Sequence, residues 1–448
     1  MQKVHIIQYV KNQQILHFFL HICIDEQKTA LSGMKNSFYI KTGGIQKMSE
    51  ALVEQMVSDF KTKSEIITGK LPRISGNNQH NKKCVIALDG GYSAVKGASD
   101  RRLFIYPSYA KKIDHELEIV GAAGTTDTDI QYRNNKTGEL WIIGKSAQTL
   151  MGSDDLDATT DASIYTRYRY DSDMYKALMA TGLALGFLGN DEDTEVYLQT
   201  GLPATYKDRD ENKLIEALCD DYDISIKLGN KPWERVKINL TKDHIFVMEQ
   251  PKGTLCSLVY TADGIVTSGK DILSSNTLIL DIGFGTEDVY SIKSGFKNVQ
   301  KTYKDTGMKS VFEETIKEIK AKTDDAVETK IFELQKYLTD GELRYFNQES
   351  FEVKTIPFSD ILFEKNRLLC EKSIKRLMQD YDNLIDYKYL IVTGGTGECR
   401  FNQIKDMLKG LPYLTILPGN MNHTRLSFSY SNVLGYYFFR YAKLKHMA

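Results

Sequence analysis

The chain has 448 residues, 42% hydrophobic and 26% charged, with 58 Lys and Arg against 59 Asp and Glu for a formal net charge of −1. That size accommodates two or three soluble domains, and the charge balance removes the electrostatic case for a nucleic-acid coat or a membrane-hugging protein. Six cysteines, none close to another in sequence, give neither a CxxC metal pair nor a disulfide framework, so reduced thiols and a cytoplasmic location are expected.

The first apolar run, Ile15 to Ile24, is ten residues long, too short for a bilayer span of about 20 residues. It also lacks the basic flank and small-residue cleavage site of a secretory signal. His17 and His21 lie four apart in it without a carboxylate or cysteine partner, which favours packing over metal binding. Two readings of residues 1–47 stay open: an upstream addition to a chain starting at Met48, or a docking arm. Ser49 then caps a helix whose one face carries Leu52, Val53, Met56, Val57 and Phe60. Lys70 to Lys83 reads as a polar linker.

From Cys84 the pattern changes. Val85 to Ala98 reads as strand, glycine turn and returning strand. Glu139 to Gly144 predicts another strand, 173–188 a helix, and Glu195 to Pro203 a strand ending in a loop. Thr277 to Ile292 repeats the strand, glycine turn and strand. Helical patterns follow at 310–322, 326–338 and 359–381, then a strand and turn at Tyr389 to Thr396. Two halves that each open with an Asp-bearing hairpin suggest an internal duplication. The acids at 154–157 and 191–195 read as solvated loops. Tyr165 to Tyr170, alternating aromatic and basic residues, reads as a surface strand or loop, with a nucleic-acid or subunit contact as the minority view.

Three constellations carry chemistry. In Asp89-Gly90-Gly91-Tyr92-Ser93-Ala94-Val95-Lys96 the glycines let successive N–H groups point at phosphate oxygens. Lys96 supplies a point charge, and Asp89 makes sense if Mg²⁺ or its waters stand between it and phosphate. Asp281-Ile282-Gly283-Phe284-Gly285-Thr286-Glu287-Asp288 repeats the idea, and two such hairpins facing each other clamp a polyphosphate from both sides. Leu390 to Glu398 places Gly394, Gly395 and Thr396 where a strand gives way to a helix, allowing a flat ligand close to the backbone. Gly138 to Ser146 imitates a Walker A loop, but its gap is five apolar residues instead of four, which argues against a phosphate cradle there.

The order of these motifs resembles the superfamily of actins, DnaK-type chaperones and sugar kinases, and within it the bacterial actin-like ParM/StbA group and its archaeal relatives. Trp141 to Ala147, Gln199 to Pro203, Val247 to Thr254 and Ser431 to Tyr437 are similar to further pieces of that pattern, so the likeness covers about 83–442. It implies an α/β, actin-like (duplicated RNase H-like) two-domain fold with mixed sheets around a central nucleotide cleft. The expected parts are an extension and linker (1–82), domain I (83–250 plus 427–448), a connector helix (251–264) and domain II (265–426), with outer subdomains from about 100–170 and 300–388.

By position, the resemblance assigns water-mediated metal binding to Asp89 and Asp281, which also serves catalysis. It assigns nucleotide contacts to Gly90, Gly91, Tyr92, Ser93, Lys96, Gly283, Phe284, Gly285, Thr286, Gly394, Gly395 and Thr396. The residue that orients the attacking water falls on Gln250, with adjacent Glu249 as the alternative. The implied activity is a Mg²⁺-dependent ATPase, GTP being the other candidate substrate, that polymerises into nucleotide-dependent filaments for plasmid DNA segregation. Its implied partners are further copies of itself and a small DNA-binding adaptor on the plasmid, without direct nucleic-acid or membrane contact. A small-molecule kinase or a non-polymerising nucleotide-binding scaffold on the same fold is the alternative.

Overall fold

Side chains alternate along Cys84 to Leu88, so this strand presents apolar groups to both sides, and both sides are covered. The computed structural model describes residues 40–42, 45–47, 60–69, 71–72, 82–116, 126–151, 169–260 and 269–445. The chain divides into two units, Met1–Met56 and Val57–Ala448. In the first, β1 (Ile40–Thr42) and β2 (Ile45–Lys47) pair as an antiparallel hairpin. The expected helix after Ser49 is outside the described residues except for Phe60, as are His17, His21, the acids at 154–157 and Tyr165 to Tyr168.

The second unit opens with β3 (Glu65–Thr68), β4 (Lys83–Gly90), β5 (Ala94–Ser99) and β6 (Arg102–Pro107). An outer group follows: β7 (Ala110–Ile113), β8 (Ile130–Asn134) and β9 (Leu140–Ile143). After helix α1 (Asp173–Phe187) come β10 (Glu195–Leu202), β11 (Asp220–Leu228), β12 (Glu234–Leu240) and β13 (Ile245–Glu249), then helix α2 (Gln250–Val259). The second half contains β14 (Thr277–Ile282), β15 (Glu287–Lys293), β16 (Phe296–Tyr303) and helix α3 (Met308–Lys322). The hairpin β17 (Glu342–Asn347) and β18 (Glu352–Pro357) leads to helix α4 (Ser359–Asp380) and β19 (Tyr389–Thr393). Helix α5 (Gly395–Leu408), β20 (Thr415–Pro418) and helix α6 (Ser431–Lys445) complete the described chain.

The first sheet runs β13-β10-β4-β5-β6-β3 and the second β16-β15-β14-β19-β20. Without β3 the two have one plan. A strand pairs antiparallel with the next, that one with a third, and on its other side the opening strand pairs with a parallel strand that itself takes a further parallel neighbour. The duplication that the letters only suggest is therefore present in the strand order. A third sheet, β12-β11-β8-β9-β7, takes strands from both 110–143 and 220–240, so this outer part extends beyond the expected 100–170 stretch.

Helices complete the layers. Cys84, Ile86 and Leu88 pack with Met179 and Leu183 of α1, while Val85 and Ala87 on the opposite face pack with Val433, Leu434 and Tyr437 of α6. In the second sheet Leu278, Leu280 and Ile282 face Ile374 and Leu377 of α4 and Ile404 of α5. Ile279, on the other side, faces Leu255, Leu258 and Val259 of α2. Full burial of each such aliphatic side chain is worth about 1.5–3 kcal/mol, which makes these four faces the main stabilising contacts. The central helices α2 and α6 meet backbone to backbone, since a Cβ on Gly435 would lie 1.7 Å from the Gly253 carbonyl oxygen. Among the described residues, no helix is long and apolar enough to cross a membrane.

Candidate functional site

Asp89 is the penultimate residue of β4, directly opposite Lys96 on β5, and is 3% exposed. That register carries Lys96 Nζ to 3.1 Å from Asp89 Oδ2. The turn between them demands glycine, because a Cβ on Gly91 would lie 2.7 Å from both the Ala94 carbonyl oxygen and Lys96 Nζ. The buried Arg169 guanidinium fastens this turn by donating to the Gly91 carbonyl at 3.0 Å and to the Gly90 carbonyl, and it lies over the Tyr92 ring at 4.3 Å.

On the second sheet Asp281 of β14 opposes Asp288 of β15. Burial raises the Asp281 carboxyl to about 6 against the lowering effect of a bond from Asn432, and the charge of nearby Asp89 adds to the rise. Burial likewise pushes Asp288 to about 7, opposed by the Thr302 hydroxyl and reinforced by the charge of Asp281. Thr286 Oγ1 donates to Asp288 Oδ2 at 2.9 Å, which holds the loop 283–286 closed.

The two hairpins meet. A Cβ on Gly285 would lie 2.6 Å from the Tyr92 ring, so the second glycine loop is pressed against the tip of the first. The third glycine motif joins them from below: Gly394 has φ +82°, and a Cβ there would come within 2.5 Å of Asp281 Oδ1. Thr396 Oγ1 adds a 2.9 Å bond to the Gly283 carbonyl.

One cleft is lined by residues 89–93, Lys96, Gln250, Asp281, 283–286 and 394–396, so these sequence-predicted residues come together. Glu249 does not join them. It ends β13 and is held 2.6 Å from Lys297, which with Lys252 keeps its carboxyl below the usual range although burial opposes this. Gln250, the first residue of α2, reaches the cleft and donates from Nε2 to Asp89 Oδ1 at 3.0 Å. Pro251 follows in the first turn of α2, where its missing N–H costs the helix no bond. Gly138 to Ser146 lies outside the cleft lining, with Ser146 Oγ bonded to Asp129 at 2.6 Å.

Residues 87–253 match the family model for the N-terminal domain of actin-like proteins. Among solved structures, a non-polymerisable quadruple mutant of pCBH ParM is similar at 19% identity and a TM-score of 0.61, over 80% of this chain and 99% of that one. The fold is actin-like. A 15-stranded ParM filament from Clostridium botulinum is similar at 18% identity and a TM-score of 0.61, over 81% of this chain and 99% of its own. The archaeal actin homolog Ta0583, in complex with ADP, is similar at 17% identity and a TM-score of 0.54, over 79% and 97% respectively. A comparison with curated proteins found no match.

Sequence reasoning missed three residues of this cleft. Arg169 and Tyr170 belong to a buried turn that lines it, which corrects their reading as part of a surface strand or loop. The third is Asn432, in the first turn of α6. Its Nδ2 donates to Asp281 Oδ2 at 2.7 Å, and its Oδ1 accepts from Thr254 Oγ1 of α2 at 2.7 Å. Asn432 thus ties both central helices to the second aspartate, and no sequence pattern announces that role.

Proposed function

We propose that this chain is a Mg²⁺-dependent nucleoside triphosphate hydrolase, using ATP with GTP as the other candidate, that assembles into nucleotide-dependent filaments. The observation that carries the reading is the convergence of the Asp89 and Asp281 hairpins with the Gly394–Gly395 turn on one cleft. The donor set fits a divalent cation. Asp89, Asp281 and Asp288 approach one another with Lys96 as a nearby cation, and burial and mutual repulsion raise the Asp281 and Asp288 carboxyls. Among the described residues no three His, Cys, Asp or Glu side chains are placed to hold a metal directly, so this reading puts water between the carboxylates and the cation.

When bound, Mg²⁺ would neutralise charge on the transferred phosphoryl group. The protein's own groups do the rest. N–H groups of 90–93 and 283–286 cradle the phosphates, Lys96 sets a positive charge beside them, and Gly394, Gly395 and Thr396 flank the nucleoside. The Gln250 side chain, held by Asp89 at the cleft wall, orients the attacking water.

Support for assembly comes from the similar proteins, one of them a ParM filament and another a ParM mutant made non-polymerisable. The hairpin β17–β18 adds to it by exposing Phe346, Phe351 (79%) and Val353 (70%), an apolar cluster that contact with another copy would cover. Movement of plasmid DNA through a small DNA-binding adaptor, in the cytoplasm, is the cellular role this reading assigns.

Sedimentation and phosphate release, measured against protein concentration with Mg-ATP and Mg-GTP, test it. Nucleotide-dependent pelleting and turnover above a critical concentration are expected. Concentration-independent turnover that requires a second substrate would instead identify a kinase. Nucleotide binding with little phosphate release and no pelleting would identify a scaffold.

A further inference from the structure

Residues 60–69 and 71–72 precede the stretch that matches the family model, which begins at 87, yet the first four of them line the cleft. β3 pairs antiparallel with β6, from Glu65 opposite Ile105 to Thr68 opposite Arg102, and so becomes the edge strand of the first sheet. Two tyrosines near α6 fasten the same segment: Tyr430 donates to Glu65 Oε1 at 3.0 Å and Tyr437 to the Pro72 carbonyl at 2.5 Å. Just before β3 the chain turns along the cleft, where Phe60, Lys61, Thr62 and Lys63 form part of the lining.

The position within the cleft is specific. Lys63 Nζ lies 3.4 Å from Glu398 Oε2 in the first turn of α5, three residues beyond Gly395. Phe60 is 6% exposed, whereas Lys61 and Lys63 are exposed. The segment is therefore anchored on the first sheet and reaches an ion pair on the second half, beside the glycine turn assigned to the nucleoside.

We propose that Phe60–Lys63 is a nucleotide-contacting strap that closes the nucleoside end of the cleft, a reading that rests on the nucleotide site proposed above. Phe60 supplies apolar surface, and Lys61 and Lys63 supply ammonium groups to a nucleoside di- or triphosphate. Because the strap spans both halves, nucleotide binding and strap docking strengthen each other by the same factor. The Lys63–Glu398 pair, partly exposed on both sides, contributes little by itself; the contact with ligand is what holds the strap in place.

The test uses the full chain with Mg-ADP as probe. Tryptic cleavage after Lys61 and Lys63 is followed by mass spectrometry and normalised to cleavage after Lys136, which is exposed in the turn between β8 and β9 and outside the cleft lining. In parallel, Mg-ADP affinity is measured for wild type, Phe60→Ala, Lys63→Glu and Asp281→Asn. The strap predicts at least tenfold slower cleavage at 61–63 with Mg-ADP, and at least fivefold weaker binding in the Phe60 and Lys63 variants. Wild-type binding with unchanged relative cleavage, or with unchanged affinity in both strap variants, overturns the strap and leaves the site intact. Wild-type affinity in Asp281→Asn overturns the underlying site instead.

Discussion

Asn432 Nδ2 sits 2.7 Å from Asp281 Oδ2, while the other end of the same amide accepts from Thr254 on the neighbouring central helix. A buried side chain with its groups satisfied on two elements fixes their relative position, and truncating it leaves partners unsatisfied at about 1–3 kcal/mol. Asn432→Ala should lose stability of that order in urea unfolding. It should also move the Asp281 carboxyl further above about 6, because the bond that lowers it is gone. An unchanged unfolding midpoint would show that this network holds nothing together.

Gln250 and Glu249 separate the two candidates for orienting water. With Gln250 in the cleft and Glu249 paired to Lys297, Gln250→Ala should keep nucleotide affinity near wild type and slow single-turnover phosphate release by about 100-fold, the scale of losing the alignment of an attacking group. Glu249→Ala should leave that rate within a few-fold of wild type. A reversed pattern would transfer the role.

The raised carboxyls give a pH signature in the nucleotide-free protein. Asp281 has a folded-state value of about 6, above the ordinary Asp value of about 3.9. The folded state therefore holds the proton more tightly, and the charge opposes folding increasingly as pH rises through this window. Asp281→Asn should melt higher than wild type at pH 8, by an amount that shrinks towards zero near pH 4, while losing metal-nucleotide binding. Thermal melts across that range check the sign, and a variant less stable at pH 8 would contradict it.

Gly253 and Gly435 leave no room for side chains where α2 crosses α6. Gly435→Ala should destabilise by roughly 3 kcal/mol, at the upper end of overpacking costs, read as a lower denaturant midpoint. A neutral substitution would mean that the helices can separate freely.

The exposed pair on β17–β18 offers a way to uncouple assembly from the site. Phe351→Ser with Val353→Ser should reduce nucleotide-dependent pelleting, leave Mg-nucleotide affinity unchanged, and shift stability by no more than about 0.5 kcal/mol, as for other surface changes. Normal pelleting would place the contact between copies elsewhere.

The parts of the fold legible in the sequence were those written in short stretches. Apolar runs at 84–88 and 277–282 each end in an aspartate and glycines, and such local signals give both hairpins and the Gly394 turn directly. Arg169 was not legible because its partners, the Gly90 and Gly91 carbonyls, are backbone groups some eighty residues away. Asn432 looks like any polar residue opening a helix until packing brings Asp281 beside it. The strand Glu65-Ile66-Ile67-Thr68 is four residues beside a polar stretch, and only its pairing with β6 distinguishes it from linker. The outer sheet was underestimated for the same reason, since β8 and β11 pair across nearly a hundred residues.

The most direct test of the central claim is a double-mutant cycle on Mg-triphosphate affinity, measured by calorimetry for wild type, Asp89→Asn, Asp281→Asn and the pair together. If the two carboxylates serve one metal and one phosphate chain, each single change weakens binding strongly and the double change is far less than the sum. Free-energy losses that add, or a single change without effect, would contradict a shared site.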